Sequence, residues 1–235
     1  MINTNLFGVT KEQAIQKGIQ NRTRFLQIVD KLSTIRNEDK YPHNFIYGYP
    51  GIGKSFEIKN RFEAAGTKFV MVTGNVSMFA FGVQLAVINF LNPNQERIIV
   101  FCDDVDTLVA NETSCNMLKS ALHGPKVFTY EKSLQSQRSN LNDVQKDSID
   151  YFSEPGKMGF KVPTNNMTFI FTSNKRLPYD IEVEVARSKG RSKATYLAHL
   201  NAIRSRVHVA DFELTKNEFW GWISSVVIES DCLND

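Results

Sequence analysis

The chain has 235 residues, of which 42% are hydrophobic and 23% charged, and a formal net charge of +3. This length and composition are typical of a globular protein with a full core and exclude a disordered or fibrous chain. The net charge alone does not indicate a nucleic-acid partner. The three cysteines are widely spaced, a pattern that favours a reducing cytoplasm over a disulfide framework or a zinc site. The first residues lack a signal-peptide pattern, and no run of 18 apolar residues occurs, so no membrane contact is expected.

Hydrophobic periodicity predicts alternating helices and strands. Residues 10–13 (TKEQ) match a capping box, which opens a helix that extends to about residue 35. Further helices are predicted over 54–65, 79–91 and 113–122, and strands over 44–47, 68–73, 97–102 and 168–172. A second capping box at 215–218 (TKNE) opens a last helix, on which Phe219, Ile223 and Val226 share one face.

The predicted strands are apolar throughout, and helices separate them. This pattern is typical of a parallel sheet covered on both faces, so the predicted fold is a three-layer α/β/α arrangement. Residues 131–157 interrupt the pattern, because they are rich in Ser, Gln, Asn, Asp and Lys and have few apolar side chains. They predict an exposed polar insertion that favours no partner.

A dense glycine pattern follows the first predicted strand. Residues 48–55 (GYPGIGKS) match G-x-x-x-x-G-K-[ST] in full. Small residues allow backbone N–H groups to close around phosphate oxygens, and the N-terminus of the following helix adds partial positive charge. We expect Lys54 to reach the β- and γ-phosphates of ATP and the Ser55 hydroxyl to join the Mg²⁺ shell. A tight turn that binds no ligand is the alternative.

The residues predicted to bind the nucleotide, ATP or ADP, are Gly48, Tyr49, Pro50, Gly51, Ile52, Gly53, Lys54, Ser55 and Phe56.

A pair of acids, Asp103 and Asp104, ends the apolar strand RIIVFC. We expect Asp103 to hold Mg²⁺, with Ser55 as the other metal residue. Asp104 would act as the general base that orients and activates the attacking water. Such a pair in isolation would indicate only a turn after a strand, but in combination with the glycine loop it indicates nucleotide hydrolysis.

The glycine loop, the acid pair and the later segment TFIFTSN (168–174) together resemble the AAA+ ATPases, and most closely small members encoded by phages. The resemblance covers about residues 40–228 and implies an AAA+ core of the P-loop NTPase type. It gives Asn174 the "sensor 1" role of placing the water, the alternative being an Asn that caps a strand end. It also implies an arginine finger in AIRSRV (202–207), with Arg206 preferred to Arg204, although either could be a plain surface arginine.

Two departures from that family are visible. The second acid is Asp104, where most members have the longer Glu, so turnover could be slow. The helical lid with its "sensor 2" arginine is reduced or truncated. The predicted organisation is an N-terminal helical segment that packs on the core (1–40), an AAA+ core with the polar insertion (41–212) and an incomplete helical lid (213–235).

The resemblance implies a homo-oligomer, a hexameric ring or spiral with nucleotide at the subunit junctions. It also places residues 74–81 at a central channel, where Phe79 and Phe81 could grip a polypeptide, although a place in the helix core is the alternative. A cationic stretch, which the nearby Glu182 and Glu184 could neutralise, could contact DNA phosphates. It comprises Arg187, Lys189, Arg191 and Lys193.

Three functions remain open. The first is an ATP-hydrolysing motor that remodels, loads or moves a protein or nucleoprotein partner, for example in phage DNA replication in the host cytoplasm. The second is an ATP-controlled binding module with little hydrolysis of its own. The third is a small-molecule kinase without a ring, which would give TFIFTSN and the arginines no special role.

Overall fold

The computed structural model describes residues 10–35, 42–74, 76–104, 106–109, 111–123, 126–174 and 192–229. The described residues fall into two compact units. The first lies within 1–35, 47–67 and 211–235, and we call it the loop unit because it contains the glycine loop. The second lies within 36–46 and 68–210, and we call it the sheet unit.

The helices are α1 (Lys11–Leu32), α2 (Lys54–Ala64), α3 (Met78–Phe90), α4 (Glu112–Leu122), α5 (Gln135–Arg138), α6 (Asp143–Tyr151), α7 (Ser192–Arg204) and α8 (Lys216–Glu229), with a 3₁₀ turn at Asp106–Val109. The strands are β1 (His43–Gly48), β2 (Phe69–Thr73), β3 (Ile98–Asp103), β4 (Val127–Tyr130), β5 (Phe160–Pro163), β6 (Met167–Ser173) and β7 (Val207–Phe212). None of the helices in the described ranges is both long and apolar enough to cross a membrane.

Five strands form the central sheet, in the order β2-β3-β6-β1-β7. β3 pairs in parallel with β2 on one side and with β6 on the other. Val100 of β3 lies opposite Val70 of β2 and opposite Phe169 of β6. β1 and β6 are buried along their whole length, as the apolar sequence predicts for strands covered on both faces. The predicted α/β fold, with a parallel central sheet flanked by helices, is confirmed.

The core of the sheet unit is rich in phenylalanine. Phe169 and Phe171 on β6 stack at 6.0 Å between ring centroids, and Phe81 on α3 lies 6.2 Å from Phe169. β4 and β5 form a separate antiparallel pair, between which the chain makes α5 and α6. A Cβ on Gly82 would lie 2.3 Å from a ring carbon of Phe128, so α3 approaches β4 closely at this glycine.

In the loop unit, α1 packs against α8. Both predicted capping boxes are present: Thr10 exchanges hydrogen bonds with Gln13, and Thr215 does so with Glu218. The predicted face of α8, which carries Phe219, Ile223 and Val226, is half-buried. Among the described side chains of this helix, the fully buried residues are Glu218, Gly221 and Trp222. The close approach of α1 to Gly221 determines which face is buried. The spacing of hydrophobic residues does not predict such a backbone contact.

Candidate nucleotide site

The glycine loop joins the end of β1, at Gly48, to the start of α2, at Lys54. Gly51 has a φ of +83° and Gly53 a φ of +80°, a left-handed conformation that side chains with a Cβ rarely adopt. Gly53 is the N-cap of α2 and supplies no side-chain acceptor. The N-terminus of this helix therefore keeps the partial positive charge that suits an anion.

Lys54 folds over its own loop. Its ammonium group donates hydrogen bonds to the carbonyl oxygens of Gly48 at 2.8 Å and Tyr49 at 3.0 Å, and only 8% of the residue is exposed. A Cβ on Gly48 would lie 2.8 Å from Cδ1 of Ile52 and 3.2 Å from Cβ of Phe212, so both neighbours would have to shift to admit a side chain there. The loop is thus tightly packed at its start and carries a positive charge at its side.

The remaining predicted binding residues surround the start of α2. Ser55 is half-buried in the first helical turn, where its hydroxyl has the chemistry of an Mg²⁺ ligand. Tyr49 and Phe56 are large aromatic residues that stay 47% and 66% exposed. Pro50 is exposed as well. The residues present fit a triphosphate with Mg²⁺: two glycines in the left-handed conformation, a helix N-terminus, a lysine and a hydroxyl.

In the sheet unit, the acids and the asparagine meet where β3 and β6 end. The Asp104 carboxylate accepts a hydrogen bond from the Asn174 side-chain amide at 2.8 Å, and both residues are exposed. The structure thus brings together two of the predicted catalytic residues, whose parallel strands end at the same edge of the sheet. Their predicted catalytic roles stay predictions.

Thr172 links the two acids, a role that no sequence motif assigns to it. Its hydroxyl donates to the Asp103 carboxylate and accepts the backbone N–H of Asp104 at 3.2 Å. Asp104 has a φ of +53°, a left-handed backbone that aspartate tolerates better than most residues. The one feature of the sequence that could have pointed to Thr172 is its place as the first polar residue after the run TFIF, near the end of β6.

The cysteine beside the acids is chemically inert. Cys102, one residue before Asp103, is fully buried, and burial together with the Asp103 carboxylate raises the pKa of its thiol. The thiol therefore stays protonated and unreactive at neutral pH.

The candidate arginine fingers lie at the end of α7. Arg206 is half-buried, and its Nη1 donates to the carbonyl oxygen of Ala202 and, at 3.3 Å, to the hydroxyl of Ser205. This guanidinium group therefore caps the C-terminus of its own helix. Arg204 is exposed in the last turn of α7.

Two surfaces were predicted to contact partners, the channel segment 74–81 and the cationic stretch 187–193. Phe81 is buried in the core, against Phe128 at 5.8 Å, and Phe79 is half-buried beside Tyr130 at 5.3 Å. Both rings therefore pack within the sheet unit. Of the cationic stretch, Arg187, Lys189 and Arg191 lie outside the described residues, as does the side chain of Lys193.

Comparison with known proteins supplies a family. The family model described as "Protein of unknown function (DUF815)" matches residues 10–134, more than half of the chain. The chain belongs to the DUF815 family. The matched segment of this DUF815 protein includes the glycine loop and the acid pair and ends before Asn174 and the two arginines. No curated protein matches the chain.

Among solved structures, 76 chains match this DUF815 protein. One is described as "Structure of the Aeropyrum Pernix ORC2 protein (ADPNP-ADP complexes)". The identity is 12% and the TM-score 0.32, and the match covers 89% of this chain and 51% of the other. The chain thus spans about half the length of that neighbour, and a likeness at this level does not extend to function.

Proposed function

We propose that this DUF815 protein binds Mg-ATP and hydrolyses it to ADP and phosphate as an AAA+ ATPase. The observation that carries the proposal is the glycine loop. Its sequence matches the phosphate-binding pattern in full, it joins a buried strand to a helix N-terminus, and Gly51 and Gly53 adopt the left-handed backbone. Lys54 provides the positive charge for the β- and γ-phosphates.

The acids would act on the metal and on the water. We propose that Ser55 and Asp103 hold Mg²⁺, whose oxygen ligands these side chains can supply. Bound Mg²⁺ would neutralise charge on the phosphates. Asp104 would accept the proton of the attacking water, and Asn174 would orient that water, which the hydrogen bond between the two side chains supports.

The finer part of the proposal concerns assembly and partners. By resemblance to the AAA+ family, the working form would be a hexameric ring or spiral in which Arg206, or else Arg204, stabilises transition-state charge in a neighbouring subunit. The work done would be to remodel, load or move a protein or nucleoprotein partner in the cytoplasm, for example in phage DNA replication. DNA contact through the cationic stretch 187–193 is part of this proposal.

One observation favours a second candidate, an ATP-controlled binding module with little turnover. Asp104 is a methylene shorter than glutamate, and its carboxylate is already engaged by the Asn174 amide. A base held in this way is less available to a water. Such a module would bind Mg-ATP and change its partner affinity, but it would hydrolyse slowly unless a partner released the base.

Phosphate release from the wild type and from Lys54→Ala tests the proposal, alone and with single- or double-stranded DNA. The motor predicts turnover that Lys54→Ala abolishes under every condition. The binding module predicts Mg-ATP binding with a wild-type rate near the blank in all of them. Equal rates above the blank in wild type and Lys54→Ala would contradict both.

A further inference from the structure

Helix α8 contacts the glycine loop at two places. The indole N–H of Trp222 donates a hydrogen bond to the carbonyl oxygen of Ile52 at 3.0 Å, and the Phe219 ring lies 6.4 Å from that of Tyr49. Residues three apart on a helix share a face, so one face of α8 makes both contacts. Trp222 is 1% exposed and Ile52 is 2% exposed, so this hydrogen bond is shielded from water.

α8 is itself fixed to α1 by backbone contact at two glycines. A Cβ on Gly18 would lie 1.9 Å from the carbonyl oxygen of Glu218, and a Cβ on Gly221 would lie 2.1 Å from that of Ile15. The ring of Phe25 on α1 lies 5.4 Å from Trp222. Trp222 therefore extends from a closely packed helix pair, which limits how far its N–H can move.

The geometry of the peptide bond turns this contact into a constraint on the loop. In a trans peptide group the C=O and the N–H point in opposite directions. Because the Ile52 carbonyl points at the buried Trp222, the N–H of Gly53 in the same peptide group points away from it. Gly53 is the residue whose φ of +80° leads into α2. Its N–H is one of the donors that a phosphate-binding loop must present.

We propose that Trp222 is a positioning residue of the glycine loop, which sets the Ile52–Gly53 peptide group so that the Gly53 N–H faces the bound phosphates. The inference rests on the proposed nucleotide binding and adds a residue of α8 to those that shape the loop.

The direct test compares Trp222→Phe with two controls. Trp222→Phe keeps an aromatic ring and removes only the donor, so the Ile52 carbonyl loses its partner. Trp220→Phe makes the same change at the other tryptophan, which is 55% exposed on the same helix. Phe25→Leu loosens the same core cluster without touching the Ile52 carbonyl.

With Mg²⁺ and a non-hydrolysable ATP analogue, we expect Trp222→Phe to bind roughly tenfold more weakly than wild type, as for loss of one buried hydrogen bond. Trp220→Phe should bind as wild type does, and Phe25→Leu should lower the melting temperature without a comparable loss of affinity. Wild-type affinity in Trp222→Phe, or an equal loss in Phe25→Leu, overturns the proposal.

Hydrogen exchange without nucleotide separates this inference from the proposed function. We expect backbone amides of residues 52–55 to exchange faster in Trp222→Phe than in wild type or Trp220→Phe, and unchanged exchange overturns the positioning role. A wild type that binds no nucleotide overturns the proposed function instead. If Trp222→Phe does not fold, Trp220→Phe leaves Trp222 as the single tryptophan, and its indole N–H should exchange slowly with and without Mg-ATP because the bond to Ile52 is buried. Fast exchange of this N–H overturns the inference.

Discussion

Asp104 combines a left-handed backbone with a carboxylate that an amide already engages. Its backbone N–H bonds to Thr172 and its side chain to Asn174, so two hydrogen bonds to residues at the end of β6 fix its position. An αL conformation costs a non-glycine residue about 1–2 kcal/mol, which these bonds help to offset. A residue held at such a cost, next to a second acid, suits a proton acceptor in a defined place.

Asp104→Asn tests this role at the residue scale. We expect it to lower the single-turnover rate of ATP hydrolysis by about 10²–10⁴-fold, the usual worth of a general base, and to leave nucleotide affinity almost unchanged. Asp106→Asn, the same chemical change two residues away, is the matched control. Equal rates for Asp104→Asn and wild type would show that Asp104 is not the base.

His43 makes a second prediction at this scale. Its Nδ1 accepts the backbone N–H of Phe169 at 3.1 Å and its Nε2 lies 3.1 Å from the carbonyl oxygen of Leu122, an arrangement that suits the neutral ring. Burial, opposed in part by the bond to Leu122, lowers the pKa of His43 from 6.5 to about 4. Protonation therefore favours the unfolded chain, which binds the proton more tightly.

The sign of this pH dependence follows directly. The stability that the neutral ring provides is complete above pH 6.5 and is lost as the pH falls towards about 4, to a total of about 3 kcal/mol. Urea unfolding at pH 7 and pH 4.5 should show this loss, and His43→Gln, which cannot titrate, should show a smaller one. The same pH dependence in both proteins would contradict the assignment.

At the scale of elements, the pairing of α1 with α8 depends on glycine. Gly221→Ala would place a methyl group 2.1 Å from the Ile15 carbonyl oxygen, so the helices would have to separate. We expect a loss of about 2 kcal/mol in the free energy of unfolding, as for overpacking in a core. On an open helix face the same change would stabilise the helix by up to about 1 kcal/mol. The sign of the change in unfolding free energy therefore distinguishes a packed glycine from an exposed one.

Ser224→Ala, on the exposed part of α8, is the control for this substitution, and it should change the stability by no more than about 0.5 kcal/mol. Denaturant unfolding of the three proteins measures the effect. A Gly221→Ala protein at least as stable as wild type would mean that the helices do not touch at this position.

Some elements could be predicted from the sequence and others could not. β3 and β6 were predictable because they are buried on both faces, and the two capping boxes because their hydrogen bonds are local. β7 was missed, since exposed His208 and Asp211 interrupt its apolar residues. The burial of Gly221 and Trp222 on α8 was not predicted, because it depends on a backbone contact from α1. The roles of Thr172 and Trp222 depend on partners far away in the sequence.

At the scale of the whole molecule, the predicted domains and the predicted ring stay predictions. Substitution of Arg206 provides a test of the ring. Its guanidinium group now caps α7 by bonding to Ala202. As a finger it would exchange this carbonyl for the more strongly attracting phosphate charge in a neighbour. The proposed function thus requires that nucleotide hydrolysis depend on two subunits.

Mixing two inactive variants tests this dependence. Arg206→Ala should lower turnover by about 10³-fold or more without weakening nucleotide affinity, and Lys54→Ala should abolish turnover. Mixed together, they should regain part of the activity, because a Lys54→Ala subunit can supply its arginine to an intact neighbouring site. No recovery in mixed assemblies, or full activity of Arg206→Ala alone, would reject Arg206 as the finger.

The central claim is that the glycine loop binds the triphosphate, and titration calorimetry with Mg-ATP tests it most directly. Lys54 rests on the carbonyl oxygens of Gly48 and Tyr49, and a bound phosphate would offer its ammonium group a stronger, charged partner. We predict saturable binding of one Mg-ATP per chain, weakened at least about tenfold in Lys54→Ala, as for loss of a charge-assisted bond. Absence of binding in the wild type, or equal affinity in Lys54→Ala, would contradict the claim.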